Sequence, residues 1–388
     1  MLELEFPYRW YEEGKARFVA PIFPETKAGE PIAPTKAPVF YNPFSKLSRD
    51  MTIITVSTYF NTPITIAEPL AGSGVRGIRL LLEANNVKTA YLNDINKYAY
   101  KVMNINAEFN GVADRVETSR MDGNIFLAQH NLPEKRFAYV DVDPVGPPVR
   151  FVENAFRACK PGGVLGVSAT DLAALVSTFP KACQRKYDAI TLHSEFSKDL
   201  AIRILFGFLA RTAMRLGLGV RPLISFYHRH FIRVFVAVER GKSRARAMIS
   251  RLGWVSYCRQ CMYIESVPLD EPPQRRCPCC GQRRGLAGPL WREATSDAEF
   301  VHQAAERSSE YEEAKKLLSK LAEEDTAVVG FYSASALARW LRISPKSPRK
   351  IVELLRSSGY RASLTHIDPS GLRTDASPEV LKDLLTAA

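Results

Sequence analysis

The sequence predicts a doubly wound, mostly parallel α/β sheet with an antiparallel edge, followed by a smaller α+β domain stapled by a metal. Three observations predict it. Strand-like runs alternate with helix-period runs from Ile64 to Val238. A glycine-rich turn, Gly72-x-Gly74-x-x-Gly77, joins the first of these strands to the first of these helices. Two Cys-x2-Cys pairs, Cys258/Cys261 and Cys277/Cys280, follow in a region short of apolar residues.

A chain of 388 residues exceeds one average domain. The composition turns to Arg, Ser and Gly after Arg240, which sets the expected boundary between domains 1–240 and 241–388. Residues 1–20 mix charged and apolar positions as a strand or hairpin would, and Pro21 to Pro43 should run extended. Val39-Phe40-Tyr41-Asn42-Pro43 then sets two aromatics beside a turn, each equally suited to the core or to a ligand platform, and residues 1–60 are expected to reach the site. Ser48-Arg49-Asp50 opens the run through Phe60.

Ile64–Ala67 is the first strand of the sheet. Gly72 and Gly74 supply backbone angles closed to other residues, so a cofactor can approach the main chain. The helix Ile78–Ala84 and the strand Ala90–Asp94 come next, and Asp94 lies where a carboxylate accepts hydrogen bonds from a ribose diol. Helix Asn96–Asn110, closed by Gly111, leads to the weak strand Val116–Thr118 and to Asp122-Gly123. Asp122 either accepts from an adenine amino group or caps the helix that begins at Asn124. The strand Ala138–Val142 stops at Asp143-Pro144, because proline cannot donate to the ladder. In an open α/β sheet that carboxyl edge is where ligands bind.

Helix Val149–Cys159, a tight turn at Lys160–Gly163 and the strand Val164–Asp171 continue the alternation. Helices Ala182–Tyr187 and Asp199–Leu216 precede a closing antiparallel pair, Leu223–Tyr227 and Phe231–Val238. Acid, glycine turn and Asp-Pro thus fall on the ends of strands one, two and four. That layout resembles the class I, Rossmann-like S-adenosylmethionine-dependent methyltransferases. No Walker lysine motif appears, and a dehydrogenase would leave the Asp-Pro strand end without a role.

Asp143-Pro144 is similar to the Asn/Asp-Pro-Pro-aromatic motif of amino-directed N-methyltransferases. An exocyclic amino group on a base is a poor nucleophile, its lone pair being delocalised into the ring. A carboxylate accepting one N–H and the Pro144 carbonyl accepting the other would turn that lone pair toward a methyl donor. The strings Val39–Pro43, Ser48–Asp50, Gly74–Gly77, Leu92–Asp94, Asp141–Gly146 and Ala169–Asp171 occur in one order. That ordered set, spanning essentially the whole chain, resembles the tRNA guanine-26 N2-dimethyltransferases. The resemblance implies that Arg49, Arg76, Asp94, Asp122 and Gly123 contact S-adenosylmethionine, that Asp143 is the catalytic acid, and that Phe40 stacks on the target guanine. Two departures stand out: Val145 occupies the place of an aromatic, and Pro147-Pro148 that of Ser-Pro. Val145 leaves an apolar contact where the family places a ring.

Cys258, Cys261, Cys277 and Cys280 match a structural four-cysteine zinc site in a reducing compartment, with Cys279 spare. Glu299–Ala322 reads as one charged amphipathic helix. Ser335–Leu341 and Pro348–Arg356 are short helices, the second with Ser347 as N-cap, and strands Tyr360–Thr365 and Gly371–Thr374 follow. A helix-turn-helix with a wing would suit RNA docking through Arg339, Lys346, Arg349 and Lys350; the same pattern equally suits a small packed module.

Lys and Arg total 53 against 41 Asp and Glu, a net charge of +12 that favours a polyanionic partner. The longest apolar run, Ile204–Ala210, is flanked by Arg203 and Arg211 and is far short of a membrane span, so a cytoplasmic location is expected. The implied partner is tRNA, with no obligate protein partner. Rival readings are an amino-directed methyltransferase for ribosomal RNA or DNA, and a zinc-bearing RNA-binding protein without catalysis.

Overall fold

In the computed structural model, residues 4–22, 36–271 and 273–387 are described. Most of the proline-rich stretch expected to run extended lies outside them. The N-terminal elements are β1 (Tyr8–Glu13), β2 (Ala16–Pro21), α1 (Lys46–Tyr59), β3 (Ile64–Glu68), α2 (Val75–Glu83), β4 (Val87–Asn93), α3 (Lys97–Phe109), β5 (Val116–Ser119), α4 (Gly123–Gln129), β6 (Phe137–Val142), α5 (Val149–Ala158) and β7 (Cys159–Ala169). There follow α6 (Leu172–Leu175), α7 (Pro180–Tyr187), α8 (Ser197–Arg215), β8 (Leu218–His228), β9 (Phe231–Arg240), α9 (Lys242–Ala247), β10 (Leu252–Tyr257), β11 (Ile264–Pro268) and β12 (Gly285–Trp291). The chain ends with α10 (Ala298–Glu306), α11 (Glu312–Glu323), β13 (Tyr332–Ser333), α12 (Ala334–Leu341), α13 (Pro348–Ser357), β14 (Ala362–Leu364), β15 (Gly371–Thr374) and α14 (Pro378–Ala387).

One seven-stranded sheet runs in the order β5-β4-β3-β6-β7-β9-β8. Strands β3 to β7 pair in parallel, and β8 with β9 is the antiparallel edge. The expected fold class is therefore the observed one. Because β3 has β4 on one side and β6 on the other, the chain reverses its winding there, and the loops after β3 and β6 open a crevice at their carboxyl ends.

Packing divides the chain into two compact units, 1–168 with 307–314, and 169–306 with 315–388. The compositional boundary at 240 marks a change in residue usage, whereas the units follow contacts.

In the first unit, apolar strand residues such as Ile66, Val140, Val142 and Leu165 are fully buried. The β1–β2 hairpin turns at Gly14, and its inner edge is held by Asn106 of α3, which exchanges hydrogen bonds with both Val19 backbone groups at 2.8 and 3.1 Å. Asn106 Nδ2 also donates to the Ser73 carbonyl at 3.0 Å, tying the hairpin to the glycine turn. Gly77 lets α2 lie against β4: a Cβ there would meet Leu92 Cδ2 at 2.5 Å. The turn expected at Lys160–Gly163 sits inside β7 as a bulge, between the pairs Phe137–Cys159 and Tyr139–Val164.

The single helix expected over Glu299–Ala322 is two, α10 and α11, separated by a turn in which Tyr311 N–H donates to Ser308 O at 2.9 Å. The break lets Tyr311 donate its hydroxyl to Glu83 of α2 at 3.0 Å.

In the second unit α8 is buried around most of its circumference, and Gly207 brings its backbone against β12. Asp199, Arg203, Arg373 and Glu324 form a fully buried ion cluster, with Arg373 Nη2 2.7 Å from Asp199 and Nε 2.7 Å from Glu324. Burial alone would raise the Asp199 pKa, but Arg203 and Arg373 outweigh it and hold it near 2. The C-terminal module is α12, a turn, α13 and the antiparallel sheet β13-β15-β14. Ser347 Oγ caps α13 and Gly359 closes it in a left-handed conformation, as expected. Helix α14 was not anticipated, although Pro378 and the spacing of Leu381 and Leu385 announce it. Among the described residues no helix is long and apolar enough to cross a membrane.

Candidate active site

The crevice after β3 and β6 is a cleft of about 520 Å³ lined by residues from five chain segments of the first unit. It brings together Phe40, Gly72, Asp94, Asp122, Gly123, Asp143, Pro144 and Val145, eight residues singled out by sequence. It adds Leu70, Ile95, Pro147, Arg150 and Phe151.

Each wall has a local cause. Asn93, fully buried at the end of β4, donates to Pro69 O and Met121 O, both at 3.0 Å, and so holds the three loops in register. Asp94, the next residue, accepts from Gly72 N–H at 2.9 Å and from Asn96 N–H at 3.0 Å. Its carboxylate is thereby fixed at the mouth, with lone pairs remaining for further donors. Asn96 in turn donates to Pro38 O at 2.7 Å, which draws the Phe40 segment over the cleft. Gly72 has φ +56°, and a Cβ there would lie 2.6 Å from the Phe40 carbonyl oxygen; only glycine admits that approach.

Of the two neighbouring aromatics, Tyr41 is core: it packs on Tyr11 and Phe18 and donates to Glu13 at 3.3 Å. Phe40 is 38% exposed and faces the cleft. Asp122 both caps α4, accepting from Asn124 N–H at 2.8 Å, and lines the cleft, with Arg150 3.8 Å from its second oxygen. Val145 is 58% exposed on the turn after Pro144.

The two arginines expected at the cofactor lie behind this lining. Arg49 is buried and grips Glu13 with Nε and Nη2, while Nη2 also donates to Asn42 O at 3.1 Å. Arg76 is buried too. Its Nη2 pairs with Asp143 Oδ2, its Nη1 donates to Thr52 Oγ1 at 2.8 Å, and its Nε lies 3.6 Å from Asp141. The missed residues Ile95 and Phe151 carried no signal beyond hydrophobicity. Arg150 had one, as a cation in the first turn after the Asp-Pro motif.

The donor set suits S-adenosylmethionine: carboxylates at the ends of adjacent strands for hydroxyl and amino donors, apolar walls from Leu70, Ile95 and Phe151, and a main chain bared by glycine.

In the second unit, the Sγ atoms of Cys258, Cys261, Cys277 and Cys280 all lie within 4.8 Å of one another. Tetrahedral zinc at about 2.3 Å from each sulfur needs separations of about 3.8 Å. Two tight turns present them, closed by Cys258 N–H to Tyr263 O at 2.9 Å and Cys277 N–H to Gln282 O at 2.8 Å. Cys279 is exposed and outside the group. The four thiols fit a zinc ion. Of the C-terminal cations, Arg339, Arg349 and Lys350 are exposed, whereas Lys346 Nζ donates to Leu385 O at 3.1 Å, at the end of α14.

Fold and cleft together define a Rossmann-like methyltransferase. The family model of N2,N2-dimethylguanosine tRNA methyltransferase matches residues 14–386, and the chain belongs to that family. A tRNA (guanine(26)-N(2))-dimethyltransferase of Methanopyrus kandleri is 37% identical, covering 94% of this chain and 93% of that protein. The tRNA (guanine(26)-N(2)/guanine(27)-N(2))-dimethyltransferase of Aquifex aeolicus is 34% identical over 96% and 95%. Trm1 of Pyrococcus horikoshii, solved in complex with S-adenosyl-L-methionine, superposes with a TM-score of 0.84 at 29% identity over 97% of this chain and 99% of that one.

Proposed function

We propose that this enzyme transfers one or two methyl groups from S-adenosylmethionine to the exocyclic N2 of guanine 26 in tRNA. The observation that carries the reading is the convergence of Asp143-Pro144, Phe40, Asp94 and Asp122 on one cleft. When bound, the cofactor supplies an electrophilic sulfonium methyl. Asp94 and Asp122 would hold its ribose and adenine, beside Gly72, Gly74 and Gly123, while Arg49 and Arg76, behind the lining, would act through the Asn42 carbonyl and the Asp143 carboxylate that they hold. Guanine must leave its stack to enter, at a cost of a few kcal/mol. Phe40 would stack on one face of the base, and Val145 would give apolar contact on the other. Asp143 would accept one N–H of the amino group and the Pro144 carbonyl the second, after which Asp143 takes the proton.

Residues 241–388 would select the RNA by shape and phosphate contact, with Arg339, Lys346, Arg349 and Lys350 as candidates. A cytoplasmic location suits both the tRNA pool and a cluster of reduced thiols. The test is methyl transfer from labelled cofactor to a tRNA transcript, with nucleoside mapping. Label in N2-methylated guanine 26, and its absence when that guanine is replaced by adenine, supports the reading; label that survives the replacement sinks the position.

Zinc on Cys258, Cys261, Cys277 and Cys280 would staple the small sheet β11-β10-β12. Elemental analysis is expected to find about one zinc per chain. Cys277→Ser should lose it and lower the melting temperature by more than about 5 °C.

A further inference from the structure

We infer that Asp141 is a positioning residue for methyl transfer, acting on Asp143 through Arg76; the inference rests on the reading that Asp143 orients the attacking nitrogen. Successive side chains of a strand alternate, so Tyr139 and Asp141 of β6 and the strand-end residue Asp143 share one face. Asp141 is only 2% exposed, in a strand otherwise Phe, Ala, Tyr and Val. A carboxylate there carries a desolvation cost that must be offset by partners. Two are in place: the Tyr139 hydroxyl donates to Asp141 Oδ2, and Arg76 Nε lies 3.6 Å from Oδ1.

Arg76 is held on every edge of its fork. Asp141 faces Nε, Thr52 Oγ1 accepts from Nη1 at 2.8 Å, Ser48 O and Oγ lie 3.4 Å from Nη1, and Nη2 pairs with Asp143. A guanidinium is planar and rigid, so fixing Nε and Nη1 sets the direction of Nη2 and with it the Asp143 carboxylate. Without Asp141 the Nε edge loses that anchor, and Arg76 can tilt about its remaining contacts and carry the Asp143 carboxylate off the line of attack. That consequence falls on turnover and requires no change in how tRNA or cofactor binds.

The experiment compares Asp141→Asn, Tyr139→Phe and Asp143→Ala in the full-length protein. Cofactor binding is read by calorimetry, which also counts competent sites, and kcat and KM are read with tRNA. Asp141→Asn is expected to lose roughly 10- to 100-fold in kcat per competent site, with both KM values and cofactor affinity within about threefold of wild type. Tyr139→Phe keeps every charge and removes one anchor of Asp141; it should lose roughly fivefold in kcat at unchanged KM. A merely structural Asp141 would lower the competent fraction and the melting temperature but not kcat per site. Wild-type kcat in Asp141→Asn, or in Tyr139→Phe should the first not fold, overturns the inference, as does a loss confined to cofactor affinity. Asp143→Ala separates the layers: if it is inactive while Asp141→Asn is not, only this inference fails, and if it too is active, the role of Asp143 fails with it.

Discussion

Replacing Asp143 with alanine is expected to slow methyl transfer by about a thousandfold at saturating tRNA and cofactor, while equilibrium binding of S-adenosylmethionine changes little. The carboxylate has two tasks in the proposed reaction: it fixes one N–H of a weakly nucleophilic amino group, and it accepts the proton released on attack. Its side chain is 27% exposed at the mouth of the cleft, so removing it opens no core cavity. Arg76, which pairs with it, keeps Asp141 and Thr52 as partners, so the loss does not strand a buried cation. The substitution Asp143→Asn keeps an acceptor oxygen but removes the proton acceptor, which places its rate between those of alanine and wild type. Single-turnover transfer of labelled methyl, with cofactor affinity measured on the same preparations, checks both variants. A near wild-type rate in Asp143→Ala would remove Asp143 from the chemistry.

What could be read from the chain beforehand was local in character. Asp143-Pro144, Gly72, Gly74 and Asp94 each announce themselves within a few residues, because a strand end, a tight turn and an acid at a set distance are short-range patterns. Asp143, Pro144, Gly72 and Asp94 also line one cleft, since the winding of an α/β sheet brings alternate strand ends together. The ribbon of cysteines was legible for the same reason. The sequence misled where the deciding partner is remote. Glu299–Ala322 has an unbroken helical pattern, yet it parts at Ser308–Tyr311, where Tyr311 meets Glu83. Phe40 and Tyr41 are chemically alike in sequence. Only the β1–β2 hairpin, which packs Tyr11 and Phe18 on Tyr41, sends one inward and leaves the other to the cleft. Phe151 lines the cleft because the first turn of α5 follows directly on the motif, a matter of geometry and not of pattern.

Arg79→Met should destabilise the first unit by about 3–5 kcal/mol at neutral pH. Arg79 is fully buried and stands among three carboxylates: Glu13 Oε1 at 2.7 Å, Asp50 Oδ1 at 2.7 Å and Glu83 Oε1 at 2.8 Å. A hydrophobic replacement of similar length fills the space but leaves these acids facing one another. Glu83 keeps the Tyr311 hydroxyl, Asp50 keeps Lys46, and Glu13 keeps Arg49, so the penalty is that of charge without sufficient countercharge. The pH dependence follows from Glu13. Burial alone would raise its pKa, but Arg49 and Arg79 outweigh burial and hold it below the ordinary carboxylate value. A depressed folded-state pKa means that the contribution is fully present above the unfolded value, near pH 4, and is lost as pH falls through the folded one. Wild type should therefore lose stability progressively below about pH 4, and Arg79→Met, with the depression reduced, should show a shallower acid limb from a lower starting point. Chemical denaturation followed from about pH 7 down to about pH 2, which covers the plateau and the acid limb, checks both statements; a variant as stable as wild type at neutral pH would show the cluster to be energetically idle. The outcome bears on the cleft as well. Glu13 holds Arg49, Arg49 holds the Asn42 carbonyl, and Asn42 lies two residues beyond Phe40. The same buried charges that stabilise the unit thus also fix the segment on which the proposed base platform is mounted.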